Sequence, residues 1–219
     1  MSVKNIKKAL IIGNGDLGIL AQSLIDFTAF DYCLLLDSSI NSYYNYNITH
    51  QPNGLLGDFD RNFNPNKWKD IYRDLEIIHT PDQEKTDFEK GIEFLIANKF
   101  THITGIGLTG KRMDHTFNNI SSLAKYNQFI NIELIDKYSK IQCIDQFTTY
   151  KNNLVQNTII SLLPIGKVQG IKTKNLVYNL NNEDLELGIR TGSSNSVFST
   201  GMVEIEIGKG KLIIMVCND

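Results

Sequence analysis

The stretch Gly54-Leu55-Leu56-Gly57-Asp58-Phe59-Asp60-Arg61 ends a short apolar run abruptly in two carboxylates. If the run forms a β-strand, residues two positions apart lie on one face, so Asp58 and Asp60 project to the same side. Two like charges about 4 Å apart repel by about 4 kcal/mol at an effective dielectric constant of about 20. A chain keeps such a pair where a cation binds between the carboxylates or where water solvates both. Because Mg²⁺ and Ca²⁺ prefer oxygen ligands, and Mg²⁺ is usually completed by phosphate oxygens, the stretch predicts phosphate chemistry, with a solvated turn as the alternative.

Apolar runs like this one alternate with helical patterns through residues 1–139. We predict strands at residues 9–12, 32–36, 55–56, 75–78, 102–106 and 132–135. Helices are predicted at residues 86–99 and 112–126, and Thr86 with Glu89 forms a capping-box pattern at the start of the first helix. Strands that alternate with helices are typical of a mostly parallel, Rossmann-like sheet. We therefore expect an α/β domain over residues 1–139.

Residues 140–219 show a different pattern, in which short apolar runs are separated by turn residues and no helical stripe appears. The predicted strands are residues 140–144, 158–163, 168–171, 176–178, 185–189, 203–207 and 212–216. Turns are predicted at Asn152-Asn153, Pro164-Ile165-Gly166, Asn181-Asn182 and Gly208-Lys209-Gly210. Short strands with frequent turns indicate an all-β domain, which we expect to be an antiparallel sandwich or barrel.

The composition narrows the class of partner. Of the 219 residues, 42% are hydrophobic and 21% are charged, and the formal net charge is −2, as in ordinary globular proteins. Because no run of lysine or arginine exceeds two residues, we expect no nucleic-acid partner. The three cysteines are far apart in apolar segments, which indicates free thiols in a reducing compartment. The first apolar run is too short for a signal peptide and none is long enough to span a membrane, so we expect a cytoplasmic protein without a membrane partner.

Acidic residues follow several of the predicted strands in the first domain. Since the carboxyl ends of parallel strands meet at one edge of a sheet, where ligands bind, these side chains are expected to lie together. They are Asp37, Asp58, Asp60, Asp82, Asp87 and Asp114. Some also have a structural explanation, because Asp37 could cap a helix and Asp87 follows the predicted cap, where the helix dipole favours an acid. Arg112 and Asp114 could equally form an exposed ion pair worth less than about 1 kcal/mol.

Two glycine-rich segments lie at predicted strand ends. Gly105-Ile106-Gly107-Leu108-Thr109-Gly110-Lys111-Arg112 could cradle a phosphate with its backbone N–H groups, although it lacks the spacing of a Walker loop. Gly13-Asn14-Gly15-Asp16-Leu17-Gly18 is similar to a dinucleotide-binding fingerprint, but its glycine spacing differs. The histidines show no metal-ligand spacing, and His115 remains a candidate because it adjoins Arg112 and Asp114.

Four motifs, taken in order, resemble those of the thiamine pyrophosphokinase family. They are Gly57-Asp58-Phe59-Asp60, Asp82-Gln83-Glu84-Lys85-Thr86-Asp87-Phe88-Glu89-Lys90, Thr109-Gly110-Lys111-Arg112-Met113-Asp114-His115 and Ser193-Ser194-Asn195. Their order and spacing agree with the family over nearly the whole chain. The resemblance implies an α/β catalytic domain that binds ATP and Mg²⁺ (1–139), a β-sandwich that binds thiamine (140–219), and a homodimer with active sites at the subunit interface. It also implies the reaction, in which ATP and thiamine give AMP and thiamine diphosphate.

The resemblance further implies roles for individual residues. Asp58, Asp60 and Asp87 would bind the metal and would act in catalysis with Arg112 and Asp114. The implied contacts to ATP or its phosphates are Asp37, Asp82, Gln83, Gly110 and Lys111. The implied contacts to thiamine are Gln83, Asp114, Ser194 and Asn195. Asp87 or Asp114 is expected to accept the proton of the attacking hydroxyl, and Arg112 to offset the charge that develops on the phosphates.

Four positions depart from the common pattern of the family. Ser38-Ser39 stands where two glycines are common, Arg61 where serine is usual, and Lys111 where glycine is common. These departures bear on the orientation and the choice of the nucleotide. Two alternatives stay open, namely a non-catalytic sensor of thiamine or nucleotide and another Mg²⁺-dependent phosphate-transfer enzyme that uses Asp58 and Asp60. A sensor would gain thermal stability from its ligand without forming AMP.

Overall fold

The computed structural model describes residues 6–18, 25–59 and 63–218 of the chain. Asp60 and Arg61 lie outside these residues. The chain divides into two compact units. The first unit comprises Met1–Ser122 and Gln128–Asp136, and the second comprises Leu123–Asn127 and Lys137–Asp219.

The described part of the first unit contains six β-strands. They are β1 (Lys8–Ile12), β2 (Tyr32–Leu36), β3 (Gly54–Gly57), β4 (Glu76–His79), β5 (His102–Ile106) and β6 (Asn131–Ile135). These strands pair in the order β6-β5-β1-β2-β3-β4, and each pairing in this series is parallel. The strands predicted for this half of the sequence are confirmed, with ends within one residue of the predicted ends.

The central strands of the first unit are apolar on both faces. All four residues of β3 are buried, as are the last four residues of both β1 and β2. Continuous apolar strands are typical of parallel sheets that are covered on both sides, whereas a half-exposed strand alternates apolar and polar residues. The buried strands fix the backbone at their carboxyl ends, where the polar side chains follow.

Three α-helices lie in the described part of the chain: α1 (Ser39–Asn45), α2 (Asp87–Ala97) and α3 (Met113–Tyr126). Short 3₁₀ helices span Phe27–Ala29 and Pro65–Asp70. The predicted capping box at α2 is confirmed, since the Glu89 N–H donates to Thr86 Oγ1 (3.4 Å) and the Thr86 N–H donates to Glu89 Oε2 (3.2 Å). None of the described helices combines the length and the apolar character needed to cross a membrane.

The second unit is built from antiparallel strands. Its described strands are β7 (Ser139–Asp145), β8 (Tyr150–Leu154), β9 (Ile159–Pro164), β10 (Lys167–Lys174), β11 (Asn181–Glu186), β12 (Gly192–Ser196), β13 (Gly201–Glu206) and β14 (Lys211–Cys217). Four of them pair in the order β12-β9-β14-β7, and the other four in the order β11-β10-β13-β8. One core cluster contains Ile160, Leu162 and Ile214 from the first group and Val168 and Val203 from the second. The predicted all-β character of this half is confirmed.

Four local predictions for the second unit are wrong. The strand predicted at residues 185–189 ends at Glu186, and residues 187–189 form a turn. Asn152-Asn153 lies within β8, and Asn181-Asn182 begins β11, although both pairs were expected to form turns. Both strands are the outer strands of their group, so asparagine side chains remain exposed while the backbone pairs on one side. Residues 176–178 form an isolated bridge, Leu176 to Val197, instead of a strand. Strand β12 was not predicted, because its sequence Gly-Ser-Ser-Asn-Ser has no apolar alternation.

Candidate active site

A cavity of about 480 Å³ lies in the first unit, at the carboxyl ends of the parallel strands. Its walls come from the residues that follow β1, β2, β3 and β5 and from the segment that leads into α2. The predicted site residues that line it are Asp37, Asp58, Gln83, Asp87, Gly110, Lys111 and Arg112. The structure therefore brings together side chains that are separated by up to 75 positions in the sequence (Asp37 to Arg112), as the parallel topology predicts.

Three carboxylates line this cavity, two from strand ends and one from the start of a helix. Asp37 follows β2 in a left-handed conformation (φ 43°), Asp58 follows β3, and Asp87 is the first residue of α2. Burial raises the pKa of Asp87, nearby Lys90 lowers it, and the charges of Asp37 and Asp58 raise it further, so the net pKa lies above the usual 3.8. The three acids thus lie close enough for each ionised group to affect the protonation of Asp87.

Lys90 is a buried cation beside these acids, and the sequence reasoning did not identify it. Its side chain is 7% exposed, and its Nζ donates to the Thr80 carbonyl (2.9 Å) and to Asp87 Oδ1 (3.3 Å). Lysine is rarely buried unless it is paired, and Lys90 lies three residues after Asp87 on the same helical face. The three-residue spacing of Asp87 and Lys90 was the feature of the sequence that could have predicted this ion pair. The ion pair stabilises the ionised form of Asp87 against repulsion from the other acids.

Asp58 is held by two neighbouring polar side chains. Gln83 Nε2 donates to Asp58 Oδ2 (2.8 Å), and His79 Nε2 lies 3.2 Å from the Asp58 carbonyl oxygen. The amide of Gln83 thus orients the carboxylate of Asp58, which lines the cavity. Gln83 was predicted to contact ATP and thiamine, and the structure shows it bonded to Asp58.

The glycine-rich turn after β5 contributes the opposite wall. Gly107 (φ 63°), Gly110 (φ 74°) and Lys111 (φ 51°) adopt left-handed backbone conformations, which cost little for glycine and more for lysine. Asn119 anchors this turn to α3, because its buried Nδ2 donates to the Leu108 carbonyl (2.7 Å). The sequence reasoning did not identify Asn119. It lies five residues after Asp114 in α3, and no motif in the sequence marks it as part of the site.

Arg112 and Asp114 form an exposed pair at the rim of the cavity. Arg112 Nε donates to Asp114 Oδ1 (3.1 Å), and a second, shorter contact joins Arg112 Nη2 to Asp114 Oδ2. The hydrogen bond from Arg112 lowers the pKa of Asp114 to about 2. An acid that is this weakly basic is a poor proton acceptor near neutral pH. Of the two acids expected to take a proton, Asp87 therefore has the better-matched pKa.

Several predicted residues lie elsewhere. Asp82 does not line the cavity, and its Oδ1 accepts the Glu84 N–H (2.9 Å) in a local turn. Asp114 also lies outside the lining, and Asp60 lies outside the described residues. Ser194 and Asn195 belong to β12 of the second unit.

The amide of Asn195 is engaged within the second unit. Asn195 Oδ1 accepts the Tyr178 N–H (3.1 Å), and Asn195 Nδ2 donates to the Tyr178 carbonyl (2.8 Å). Asn195 is 7% exposed, and these bonds satisfy the backbone N–H and carbonyl of Tyr178, which lies outside the strands. Ser194, by contrast, is exposed, in a left-handed conformation (φ 55°).

The carboxylates of the cavity are oxygen donors of the kind that a divalent cation needs. No group of three or more histidine, cysteine, aspartate or glutamate side chains in residues 6–18, 25–59 and 63–218 forms a complete metal site. Mg²⁺ rarely requires a complete site made of protein side chains, because it keeps several waters and binds one or two carboxylates together with substrate phosphates. Asp58 and Asp87 each offer carboxylate oxygens, and their negative charges repel each other. The pair therefore fits a Mg²⁺ ion that is also ligated by waters and phosphate oxygens.

Comparisons with known proteins agree along most of the chain. The model of the thiamin pyrophosphokinase catalytic domain matches residues 26–135, and the model of the thiamin pyrophosphokinase vitamin B1 binding domain matches residues 147–212. Thiamin pyrophosphokinase 1 of Caenorhabditis elegans is 27% identical over 156 residues, which cover 67% of this chain and 63% of that protein. The matched part of the chain thus spans somewhat less than two thirds of the length of this curated relative.

Solved structures share the fold. Thiamine pyrophosphokinase from Bacillus subtilis superposes with a TM-score of 0.82 at 23% identity, over 97% of this chain and 100% of that one. The enzyme from Candida albicans gives a TM-score of 0.84 at 17% identity, over 99% and 90% of the two chains. At these identities the structural likeness shows the fold alone. The family is shown by the two domain models, which match in order along the chain. The chain belongs to the thiamin pyrophosphokinase family.

Proposed function

We propose that this protein transfers the pyrophosphoryl group of ATP to the hydroxyl group of thiamine, which gives thiamine diphosphate and AMP. The observation that carries the proposal is the convergence of Asp37, Asp58 and Asp87 on one cavity, in a chain of this family. A cavity with several carboxylates at the carboxyl edge of a parallel sheet suits a substrate that brings phosphates and a cation.

The chemistry follows from the groups around the cavity. The thiamine hydroxyl oxygen attacks the β-phosphorus of ATP, the bond from that phosphorus to the oxygen shared with the α-phosphorus breaks, and AMP leaves with that oxygen. Asp87 accepts the hydroxyl proton on a carboxylate oxygen that the cation leaves free, because Asp87 lines the cavity, whereas Asp114 lies outside the lining and has both oxygens bonded to Arg112. Arg112 and Lys111 offset negative charge on the phosphates, and Gly110 gives the backbone close access to them.

Mg²⁺ is the cation that this donor set suits. Asp58 and Asp87 would hold it with Asp60, which lies outside the described residues, while Asp37 and Gln83 would orient the surrounding ligands. When bound, the ion supplies positive charge that aligns the phosphates and stabilises charge in the transition state. Asp82, which bonds within its own turn, would act on the nucleotide only through the shape of the segment before α2.

We assign thiamine recognition to the second domain, with boundaries at 1–139 and 140–219. Its two antiparallel strand groups share one core, which supports a β-sandwich, and the first domain is taken as Rossmann-like because of its parallel strands. In this domain Ser194 would contact thiamine and Asn195 would hold the backbone beside it. Gln83 and Asp114 of the first domain are further thiamine contacts that the family resemblance implies. The family resemblance further supports a homodimer with active sites at the subunit interface and, together with the free cysteines, a cytoplasmic location.

The test is to incubate the protein with ATP, thiamine and Mg²⁺ and to quantify AMP and thiamine diphosphate, with an EDTA-treated control. We expect equal amounts of both products and none in EDTA. Thermal stabilisation by thiamine without any product would instead identify a sensor. Phosphate transfer to other acceptors but not to thiamine would identify a different enzyme of the same architecture.

A further inference from the structure

Asn14 connects three of the loops that form the cavity. Its Nδ2 donates to Ser38 Oγ (3.0 Å), and its Oδ1 accepts from Ser42 Oγ (3.0 Å). Its backbone carbonyl accepts from Lys111 Nζ (2.8 Å). Asn14 follows β1, Ser38 follows β2, and Lys111 follows β5, so one exposed side chain and its own peptide link the ends of three strands.

The backbone around Asn14 has little freedom. The Gly13 N–H donates to the Ile106 carbonyl (2.9 Å), and the Gly15 N–H donates to the Gly107 carbonyl (2.6 Å). A Cβ at Gly13 would lie 2.6 Å from the Gly107 oxygen, and a Cβ at Gly15 would lie 2.4 Å from the Thr109 oxygen. The loop after β1 is therefore packed directly on the turn after β5, and the carbonyl that receives Lys111 is held in place.

Two of the three partners of Asn14 stand at positions where the sequence departs from the family pattern. Ser38 and Lys111 each stand where glycine is common in the family. Lys111 keeps a left-handed conformation (φ 51°), which disfavours a residue with a Cβ, so its side chain is retained at a cost in backbone energy. The hydrogen bond to Asn14 gives that side chain a defined position at the cavity.

We propose that Asn14 is a positioning residue that joins Ser38 and Lys111 into one subsite for the polyphosphate of the donor nucleotide. An ammonium group has three donors, and one is used on the Asn14 carbonyl, so two can reach phosphate oxygens. The Ser38 oxygen accepts from Asn14, which leaves its O–H to donate in the same way. The inference rests on the proposed function, because it takes a nucleoside triphosphate as the ligand.

Equilibrium binding tests the subsite apart from turnover. We would titrate α,β-methylene-ATP, in which the bond to be broken is replaced, by calorimetry with Mg²⁺ present. Lys111→Gly is expected to weaken binding about tenfold, and Asn14→Ala about fivefold, through loss of charge-assisted and positioning hydrogen bonds. In turnover, both variants should raise KM for ATP by similar factors and leave KM for thiamine within about twofold, as expected when only nucleotide binding is lost.

Coupling separates a positioning role of the Asn14 side chain from independent contacts. This side chain acts through Ser38, so the double variant Asn14→Ala/Ser38→Ala should bind within about twofold of Asn14→Ala alone. Asn14→Ala keeps the backbone carbonyl that accepts from Lys111 Nζ, so its loss and that of Lys111→Gly should multiply. If Asn14→Ala folds poorly, Ser38→Ala by itself should show the same loss of about fivefold. Multiplicative losses in the Asn14/Ser38 pair, or unchanged affinity of Ser38→Ala, would overturn the proposal.

Lys99→Gly is a matched control for the lysine. Lys99 is also exposed and left-handed (φ 63°), and it lies just after α2, outside the cavity lining. The substitution removes the same charge and relieves the same backbone strain, and it should leave nucleotide affinity unchanged. A loss equal to that of Lys111→Gly would show a general charge effect and would refute the subsite. Wild-type protein that binds the analogue but makes no thiamine diphosphate would contradict the proposed function and leave this inference standing.

Discussion

At the scale of single residues, the cavity contains several negative charges, which destabilise the fold when no cation is bound. Asp37, Asp58 and Asp87 repel one another, and Lys90 offsets part of that repulsion through its contact with Asp87. Such clusters of like charge are typical of sites where a ligand supplies the missing countercharge. Their cost in stability and their use in function can be measured separately.

Asp58→Asn should keep the fold and remove Mg²⁺-dependent turnover. The amide preserves the size of the side chain and an oxygen for Gln83, and it loses the negative charge that binds the cation. We expect product formation to fall by about 100-fold or more, in line with the loss of several kcal/mol of transition-state stabilisation, with little change in Tm. Asp74→Asn, an exposed acid outside the cavity lining, is the control. Near wild-type activity of Asp58→Asn would refute the metal role.

Asp87→Asn should stabilise the protein at neutral pH while it abolishes activity. Burial, with repulsion from Asp37 and Asp58, raises the pKa of Asp87 in the folded state above its unfolded value of about 3.9 despite the attraction of Lys90. The folded state therefore keeps this proton to higher pH than the unfolded state, and stability falls as the pH rises from about 4 through the raised pKa.

The measurement for this variant is Tm as a function of pH. At pH 7 we expect Asp87→Asn to melt about 1–3 °C above wild type, which is the shift that a fraction of a kcal/mol gives in a chain of this size. The difference should shrink toward pH 4, where the wild-type carboxyl takes up its proton. A variant that melts below wild type at pH 7 would mean that the ion pair with Lys90 outweighs burial and repulsion.

At the scale of elements, α2 links the stability of the fold to the site. The capping box satisfies backbone N–H groups in its first turn, and the next residue, Asp87, enters the cavity. The helix packs against β1, β2 and β3, so its start is placed by both the cap and the sheet. A weakened cap should therefore affect both melting and catalysis.

Thr86→Ala removes the side-chain oxygen that accepts the Glu89 N–H. We expect a loss of about 1 kcal/mol in the free energy of unfolding, which lowers Tm by about 2–4 °C for a chain of this length. Thr86→Ser keeps the hydroxyl and should retain most of the stability. Thermal denaturation of both variants is the measurement. Equal destabilisation by alanine and serine would mean that the loss comes from packing of the threonine methyl group and not from the hydroxyl.

At the scale of the whole molecule, each unit has a core of its own. One cluster draws on β1, β2 and β3, and the other on the strands of the second unit. These core residues stabilise each unit whether or not a ligand is bound. The polar residues at the strand ends contribute little to the free energy of unfolding. The proposed homodimer would add contacts beyond both cores.

Light scattering coupled to size-exclusion chromatography checks the proposed dimer. The chain has a mass of 24.8 kDa, and we expect a particle of twice that mass at micromolar concentration. Because assembly is linked to stability by mass action, Tm should also rise with protein concentration. A mass of one chain across the whole concentration range, with a constant Tm, would refute the dimer.

The sequence by itself determined the parallel strands of the first unit, the capping box of α2 and the acids that follow β2 and β3. These features depend on neighbours along the chain, since apolar runs, cap spacing and strand ends are local patterns. Only the tertiary structure decided that Lys90 is buried against Asp87, that Asn119 bonds to the turn after β5, and that Asn14 joins three loops. Those contacts depend on which loops the sheet order places side by side, and β8 likewise became a strand because β13 offers it a partner. Long-range pairing of this kind leaves no periodic signal in the residues that take part.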